Sequence, residues 1–227
     1  MTTPKPTRAR APAQPPKAAS PGRPKDLAKR AAILEAAKRM FVQQGFERVS
    51  MDQVAAEAGV SKLTVYSHFG DKDSLFAEAV RAHCEQNLPQ RLFESEPGTP
   101  LRERLLAIGQ AFFAMVMAPE AVAGHRILCS PQVAARGMAG MFWEAGPERV
   151  KTAFRSLLED RIARGELEID DPARAAGHFF ALLKGDPHAQ ALLGCEGTAC
   201  CEAAQAHVAS VVDLFLRAYA VRGHGRG

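Results

Sequence analysis

The chain has 227 residues, 47% apolar, 24% charged and only 7% aromatic, a composition that fits an alanine-rich helical protein and argues against a β-sandwich or barrel. Five cysteines without an apolar leader argue against a disulfide framework and for a reducing cytoplasm, and no apolar run nears the roughly 18 residues that cross a bilayer, so no membrane partner is expected. The net charge of +4 hides an asymmetry: Lys5, Arg8, Arg10, Lys17, Arg23 and Lys25 fall within residues 1–25 with no acidic residue, leaving 23 Lys and Arg against 25 Asp and Glu beyond them, a distribution suited to a polyanion held at one end.

Seven of the fifteen prolines lie within residues 1–24 without apolar periodicity, so residues 1–25 are expected to form a disordered basic arm. Its last piece, Pro21-Gly-Arg-Pro-Lys25, holds Arg23 between prolines in an extended shape that suits a narrow minor groove. A helix follows from Asp26, with Ile33, Ala37, Met40 and Phe41 on one face and a stop at Gly45. Ser50 caps a short helix over 51–58, with Gln53 placed to complete a capping box, and Gly59 ends it. Ser61 caps a third helix ending near Phe69-Gly70. From Asp71 an amphipathic segment, with Leu75, Phe76, Ala79, Val80 and His83 on one face, runs to Leu88-Pro89.

Pro97-Gly-Thr-Pro100 marks a boundary, because two prolines and a glycine in four residues exclude a continuing helix. Beyond it, helices are expected over 101–117, 119–129, 131–143, 147–164, 172–193 (broken at Gly185-Asp-Pro187) and 199–220. Gly165 reads as a stop, and Asp171-Pro172 as an N-cap followed by proline at the first helical position.

The stretch Gly59–Phe69, "GVSKLTVYSHF", is ambiguous by residue preference: Leu63-Thr-Val-Tyr66 reads as a short strand. It has neither a hairpin turn nor a second strand to pair with, and helix is the better reading. As a helix it turns Val65 and Phe69 inward and Leu63, Thr64 and Ser67 outward, with Lys62 and Tyr66 flanking them. Val54, small Ala55, Ala58, Gly59 and Val60 before it complete a helix-turn-helix. A face made only for solvent favours Glu, Lys and Gln. Thr64, Tyr66, Ser67 and His68 are instead poor helix formers that donate to phosphates or base edges, and an exposed Leu63 meets a thymine methyl.

Residues Gly22–Leu88, and above all "AAEAGVSKLTVYSHFGDKDSLF", resemble the DNA-binding domain of the TetR family of transcriptional regulators. The resemblance implies an all-α chain: a three-helix helix-turn-helix head over 26–72, a connecting helix over 73–96 and a C-terminal ligand-binding and dimerisation domain over 101–221. By the family's pattern Ser50, Tyr66, His68 and Lys72 hold phosphates and Lys62, Leu63 and Thr64 face bases, with Ser61, Ser67 and Arg23 beside them. Partners implied are a near-palindromic duplex operator, a second copy of the chain and a partly apolar small-molecule effector.

The stretches "MFWEAGPERV" (141–150) and "ARGELEIDDPARAAGHFFALLKG" (163–185) are similar to the AefR-like subgroup of that family. Candidates to line an effector pocket are Phe112, Phe113, Val116, Arg126, Trp143, Phe154 and Phe179. The stripe Val208, Val211, Val212, Phe215 and Tyr219, with Phe180 and Leu183 of the preceding helix, is the candidate dimer face. For any one of these residues, core packing is the competing reading.

The sequence holds no G-x-S-x-G, Walker loop, HExxH or paired carboxylates, so neither an enzyme nor a cofactor is expected. Cys195, Cys200 and Cys201, near His188 and His207, match no recurrent zinc spacing, and no metal site is expected; a thiol- or metal-responsive regulator stays a rival reading. The main expectation is a repressor released from its operator by the effector. A transcriptional activator is its nearest rival, and a helical adaptor that binds no DNA is the most distant one.

Overall fold

The computed structural model describes residues 27–94, 98–130, 137–195 and 201–221, without the Cys201 side chain. The basic arm with Arg23, the start at Asp26, Pro97 and Cys200 lie outside the described residues. Four helices form the N-terminal part: α1 (Leu27–Gln44), α2 (Met51–Glu57), α3 (Lys62–Phe69) and α4 (Lys72–Asn87). After a 3-10 turn at Gln90–Leu92 come α5 (Leu101–Met117), α6 (Pro119–Leu128), α7 (Met138–Ala145), α8 (Pro147–Ala163), α9 (Pro172–Leu193) and α10 (Cys201–Tyr219). The described residues contain no strand, only an isolated bridge between Leu167 and Ala220 that ties the turn after α8 to the end of α10.

Local chemistry sets most of these boundaries. Pro119, Pro147 and Pro172 each open a helix, where the missing N–H leaves nothing unsatisfied. Gly45, Gly59, Gly70 and Gly165 turn the chain with positive φ. Residues 131–136 of the helix expected over 131–143 lie outside the described residues; the described part starts at Met138, after Gly137 at φ 74°.

The break in α9 is accounted for atom by atom. Gly185 takes φ 42° and ψ −154°, and Pro187 has no N–H to give to the Leu183 carbonyl. His207 of α10 meets that carbonyl with Nε2 at 2.9 Å instead, so it is the imidazole N–H that donates. The positive φ is what calls for glycine at 185, since a Cβ there would meet the His207 ring only at an ordinary contact distance of 3.4 Å. At the far end of α9, Arg126 of α6 donates to the Ala191 and Leu192 carbonyls, satisfying groups that a helix end leaves open.

Two buried clusters organise the packing. One joins α1–α4 around Ile33, Val54, Val65 and Leu75, with Met138 of α7 added. The other joins α5, α8, α9 and α10 around Leu105, Phe154, Phe179 and Phe215. In the second, Phe154 stacks on Phe179 at 4.6 Å between ring centroids and Phe215 meets Phe179 edge-on at 5.2 Å. The buried arginines of this region, Arg104 and Arg161, are held by protein oxygens: Arg104 donates to the Arg91 carbonyl at 3.2 Å and Arg161 to both Glu166 oxygens at 3.0 Å. Leu75, Phe76 and Ala79 of α4 belong to the first cluster, so the head's core runs past residue 72 into the connecting helix.

Candidate nucleic-acid interface and the cavity behind it

The helix-turn-helix is built from its caps inward. The Ser50 side chain accepts from the Gln53 N–H while Gln53 accepts from the Ser50 N–H at 2.8 Å, completing the capping box. The Val60 N–H returns to the Ala55 carbonyl at 3.0 Å, and Gly59 at φ 65° makes the turn. Val54 and Val65 are wholly buried against each other's helices, with small Ala55 at the approach. Ser61 caps α3 through the Thr64 N–H at 3.1 Å, and Gly70 at φ 78° ends it. The strand-like Leu63–Tyr66 run is therefore helical, held from below by Val65 and Phe69. Arg30 braces it from α1, its guanidinium 5.2 Å from the Phe69 ring centroid and 2.6 Å from Glu78 of α4.

What α3 turns outward is the set singled out in the sequence. Leu63 is 79% exposed, an apolar side chain with no protein to cover it, and Tyr66 is 40% exposed. Ser50, Ser61, Lys62 and Ser67 are also exposed, whereas Thr64 and His68 are half-buried. Several are already oriented by neighbours: Lys62 pairs with Asp52 at 2.9 Å, Thr64 Oγ1 lies 2.8 Å from Ser61 Oγ, and Ser67 Oγ donates to the Thr64 carbonyl at 2.9 Å. Its hydrogen bond to the Asp52 carboxylate raises the Lys62 pKa, keeping it cationic. Lys72 starts α4 with its ammonium 4.1 Å from the Phe46 ring centroid. Nδ1 of His68 is buried with no hydrogen-bond partner among the described residues.

Behind this surface, between the two clusters, lies a cavity of about 420 Å³. One wall is the head: Phe41 and Phe46 of α1 and its turn, Phe76, Val80 and His83 of α4. The other is the body: Phe112 and Val116 of α5, His125 of α6, Trp143 of α7 and Phe180 and Lys184 of α9. The volume lies within the roughly 300–1,000 Å³ usual for small-molecule sites.

Of the pocket residues expected from sequence, Phe112, Val116 and Trp143 line this cavity and four do not. Phe154 and Phe179 are fully buried in the aromatic core, Phe113 is buried with its ring 5.3 Å from that of His207, and Arg126 caps α9. The residues of the expected dimer stripe lie mostly inside the protomer. Val208, Val211, Val212, Phe215 and Leu183 are buried within the protomer, Phe180 walls the cavity, and Tyr219 packs at 4.8 Å on Phe215. A side chain with almost no accessible surface in one protomer has none to offer a second. The large apolar residues that α9 and α10 leave exposed are Leu182, Leu193 and Leu214.

The sequence reading missed the polar groups on the cavity wall. His125 lies in it with Nδ1 3.2 Å from His188 Nε2, and burial, the neighbouring His188 and Lys184 hold its pKa down to about 4. Burial likewise lowers the Lys184 pKa. A lysine closing the apolar run "FFALLK" just before the helix break was the available signal. Cys84, on the same wall, is a half-buried thiol whose pKa desolvation pushes up to about 11, and Cys129 and Cys195 are exposed and unbridged. Among the described residues no His, Cys, Asp or Glu group is arranged to hold a metal ion, and no single helix is long and apolar enough to cross a membrane.

Comparison with known proteins agrees with this architecture. Residues 33–79 match the family model of bacterial regulatory proteins of the tetR family, and residues 103–221 match the AefR-like transcriptional repressor C-terminal domain. A TetR-family transcriptional regulator from Mesorhizobium loti MAFF303099 is 27% identical over 88% of this chain and all of its own, with a TM-score of 0.70. The flavonoid-responsive regulator FrrA is 32% identical over 86% of this chain and 98% of its own, with a TM-score of 0.66. The HTH-type transcriptional activator FasR of Mycolicibacterium smegmatis is 32% identical over 99 residues, 41% of this chain, which spans 44% of that curated relative. The exposed face of α3, the cavity between the two clusters and these matches together place the chain in the TetR family of helix-turn-helix, DNA-binding transcriptional regulators, with an AefR-like C-terminal domain.

Proposed function

We propose that the protein is a dimeric repressor that an effector in the cavity between head and body releases from its operator. The observation that carries the proposal is that both parts wall this cavity: α1 and α4 on one side, α5 to α9 on the other. An occupant therefore contacts both at once and favours the head–body arrangement it fits best. Only a difference in its affinity for the DNA-competent and DNA-incompetent forms shifts the population between them.

In this reading Leu63, Thr64 and Lys62 face base edges in the major groove, while Ser50, Ser61, Tyr66, Ser67, His68 and Lys72 hold phosphates. Lys62 exchanges its contact with Asp52 for DNA. Arg23 reaches the adjacent minor groove. The AefR-like repressor match supports the sign of regulation. The flavonoid response in FrrA's name supports a flat aromatic effector, as do the phenylalanines on the wall. The dimer forms through α9 and α10, with Leu182 and Leu214 as the apolar contacts. The likeness to FasR favours a second reading, activation, in which effector binding strengthens the DNA complex.

Selection of bound duplexes from a random-sequence pool tests the proposal. Enrichment of a near-palindrome whose half-sites lie roughly 34–36 Å apart along the helix, by a protein eluting as a dimer, is the expected result. Recovery of no shared sequence would remove it. Placing the selected site over a reporter promoter separates repressor from activator.

A further inference from the structure

The cavity wall carries more positive than negative charge, and its cations are not equivalent. Lys38 is satisfied by Glu35 and Gln86, each at 2.6 Å, and Lys151 by Glu148 at 3.1 Å, with its ammonium 5.0 Å from the Trp143 ring centroid. Lys184 differs: it is half-buried, and among the described residues no carboxylate pairs with it, the neighbour that favours its charge being the Cys129 thiol. Glu120, the carboxylate among the described lining residues, sits exposed at the start of α6, where its charge is felt by His83. His125 has its Nδ1 engaged by His188, leaving Nε2 as the ring nitrogen without a described protein partner.

A neutral apolar occupant would complete the desolvation of the Lys184 ammonium and supply no counter-charge, which is costly. An occupant with one negative group placed at Lys184 removes that cost. We infer that the effector is an organic acid, with a flat apolar body lying among the phenylalanine rings and a single carboxylate, or an oxyanion of similar acidity, paired with Lys184 and in reach of His125. This rests on reading the cavity as the effector site. The lowered Lys184 pKa agrees with an ammonium that lacks a partner until such a group arrives.

Trp143, the chain's single tryptophan, lines the cavity and reports occupancy by its fluorescence. Biphenyl-4-carboxylate and biphenyl-4-carboxamide share one body and differ in charge. Titrated into the full-length protein and followed by Trp143 fluorescence and calorimetry, the carboxylate should bind tighter by about tenfold or more. Lys184→Gln should abolish that preference, Lys184→Arg should keep it, and both variants should unfold within a few degrees of the wild type. Equal binding of the two probes, binding of neither, or a preference that survives Lys184→Gln overturns the inference. Release of the selected DNA is read in the same titrations: Lys184-dependent binding without release leaves the organic-acid assignment standing and removes the effector reading.

Discussion

Helix α3 and helix α9 place their working residues in opposite ways. Helix α3 is eight residues long, buries Val65 and Phe69, half-buries Thr64 and His68, and leaves Lys62, Leu63, Tyr66 and Ser67 exposed. Helix α9 is 22 residues long, buries Phe179, Phe180 and Leu183, and brings its Lys184 to an internal space that packing leaves open. In the head, recognition depends on side chains that the fold leaves uncovered; in the body, it depends on a gap between two cores that the fold leaves unfilled. The first is a matter of helical phase and can be read along the chain, whereas the second depends on how seven helices meet.

The largest perturbation separates the two cores. Phe154→Ala removes a ring packed on Phe179, Phe180 and Phe215 and should cost about 3–5 kcal/mol of stability in chemical denaturation. Amide exchange should then speed up in α5, α8, α9 and α10 before it does in α1–α3. Simultaneous loss of protection in the head would show that the two clusters unfold as one unit.

Acid acts on the cavity side. The pKa of His125 is held near 4 in the folded chain against 6.5 when unfolded, so the unfolded state binds the proton first. Stability should be fully present above about pH 6.5 and fall by roughly 3 kcal/mol as pH drops toward 4, at 1.36 kcal/mol per pKa unit. His83 and His188, also lowered by burial, add to the same slope. A His125→Gln variant should show a shallower fall in thermal midpoint over this range; an unchanged profile would place the titration elsewhere.

Filling the cavity sharpens the contrast from the other direction. A Cβ at Gly124 meets nothing within 4 Å, and Gly124 lines the space, so Gly124→Leu should occupy it while gaining up to about 1 kcal/mol of helix propensity. The variant should bind the selected DNA as the wild type does and fail to release it with biphenyl-4-carboxylate. The smallest effect is at the surface: Ser61→Ala removes the cap of α3 and should cost about 1 kcal/mol, seen as a lower thermal midpoint of the head.

The sequence made the head legible because its signals are local. Caps at Ser50 and Ser61, turns at Gly45, Gly59 and Gly70, and the small residue at Ala55 each act within a few positions of themselves. The body was legible at most of its described helix boundaries, including the break at Gly185, since proline and glycine act locally too. The use of its apolar faces was not. Val208, Val212 and Phe215 have the spacing of an interface stripe, and the same spacing serves a core once α5 and α9 cover it. Phe154 and Phe179 were indistinguishable in sequence from Phe112, which lines the cavity, because which phenylalanine meets a gap is decided by the crossings of distant helices. Lys184 and His125 are 59 positions apart and meet only through the packing of α6 on α9.

The most direct measurement is the affinity of a Leu63→Ala/Tyr66→Ala double variant for the selected DNA at fixed salt. Both side chains are exposed, so the thermal midpoint and the dimer should be unchanged. At about 1–3 kcal/mol for each lost contact, binding should weaken by roughly 30-fold or more. A folded, dimeric variant that binds the selected site as tightly as the wild type would contradict the assignment of α3 as the recognition helix.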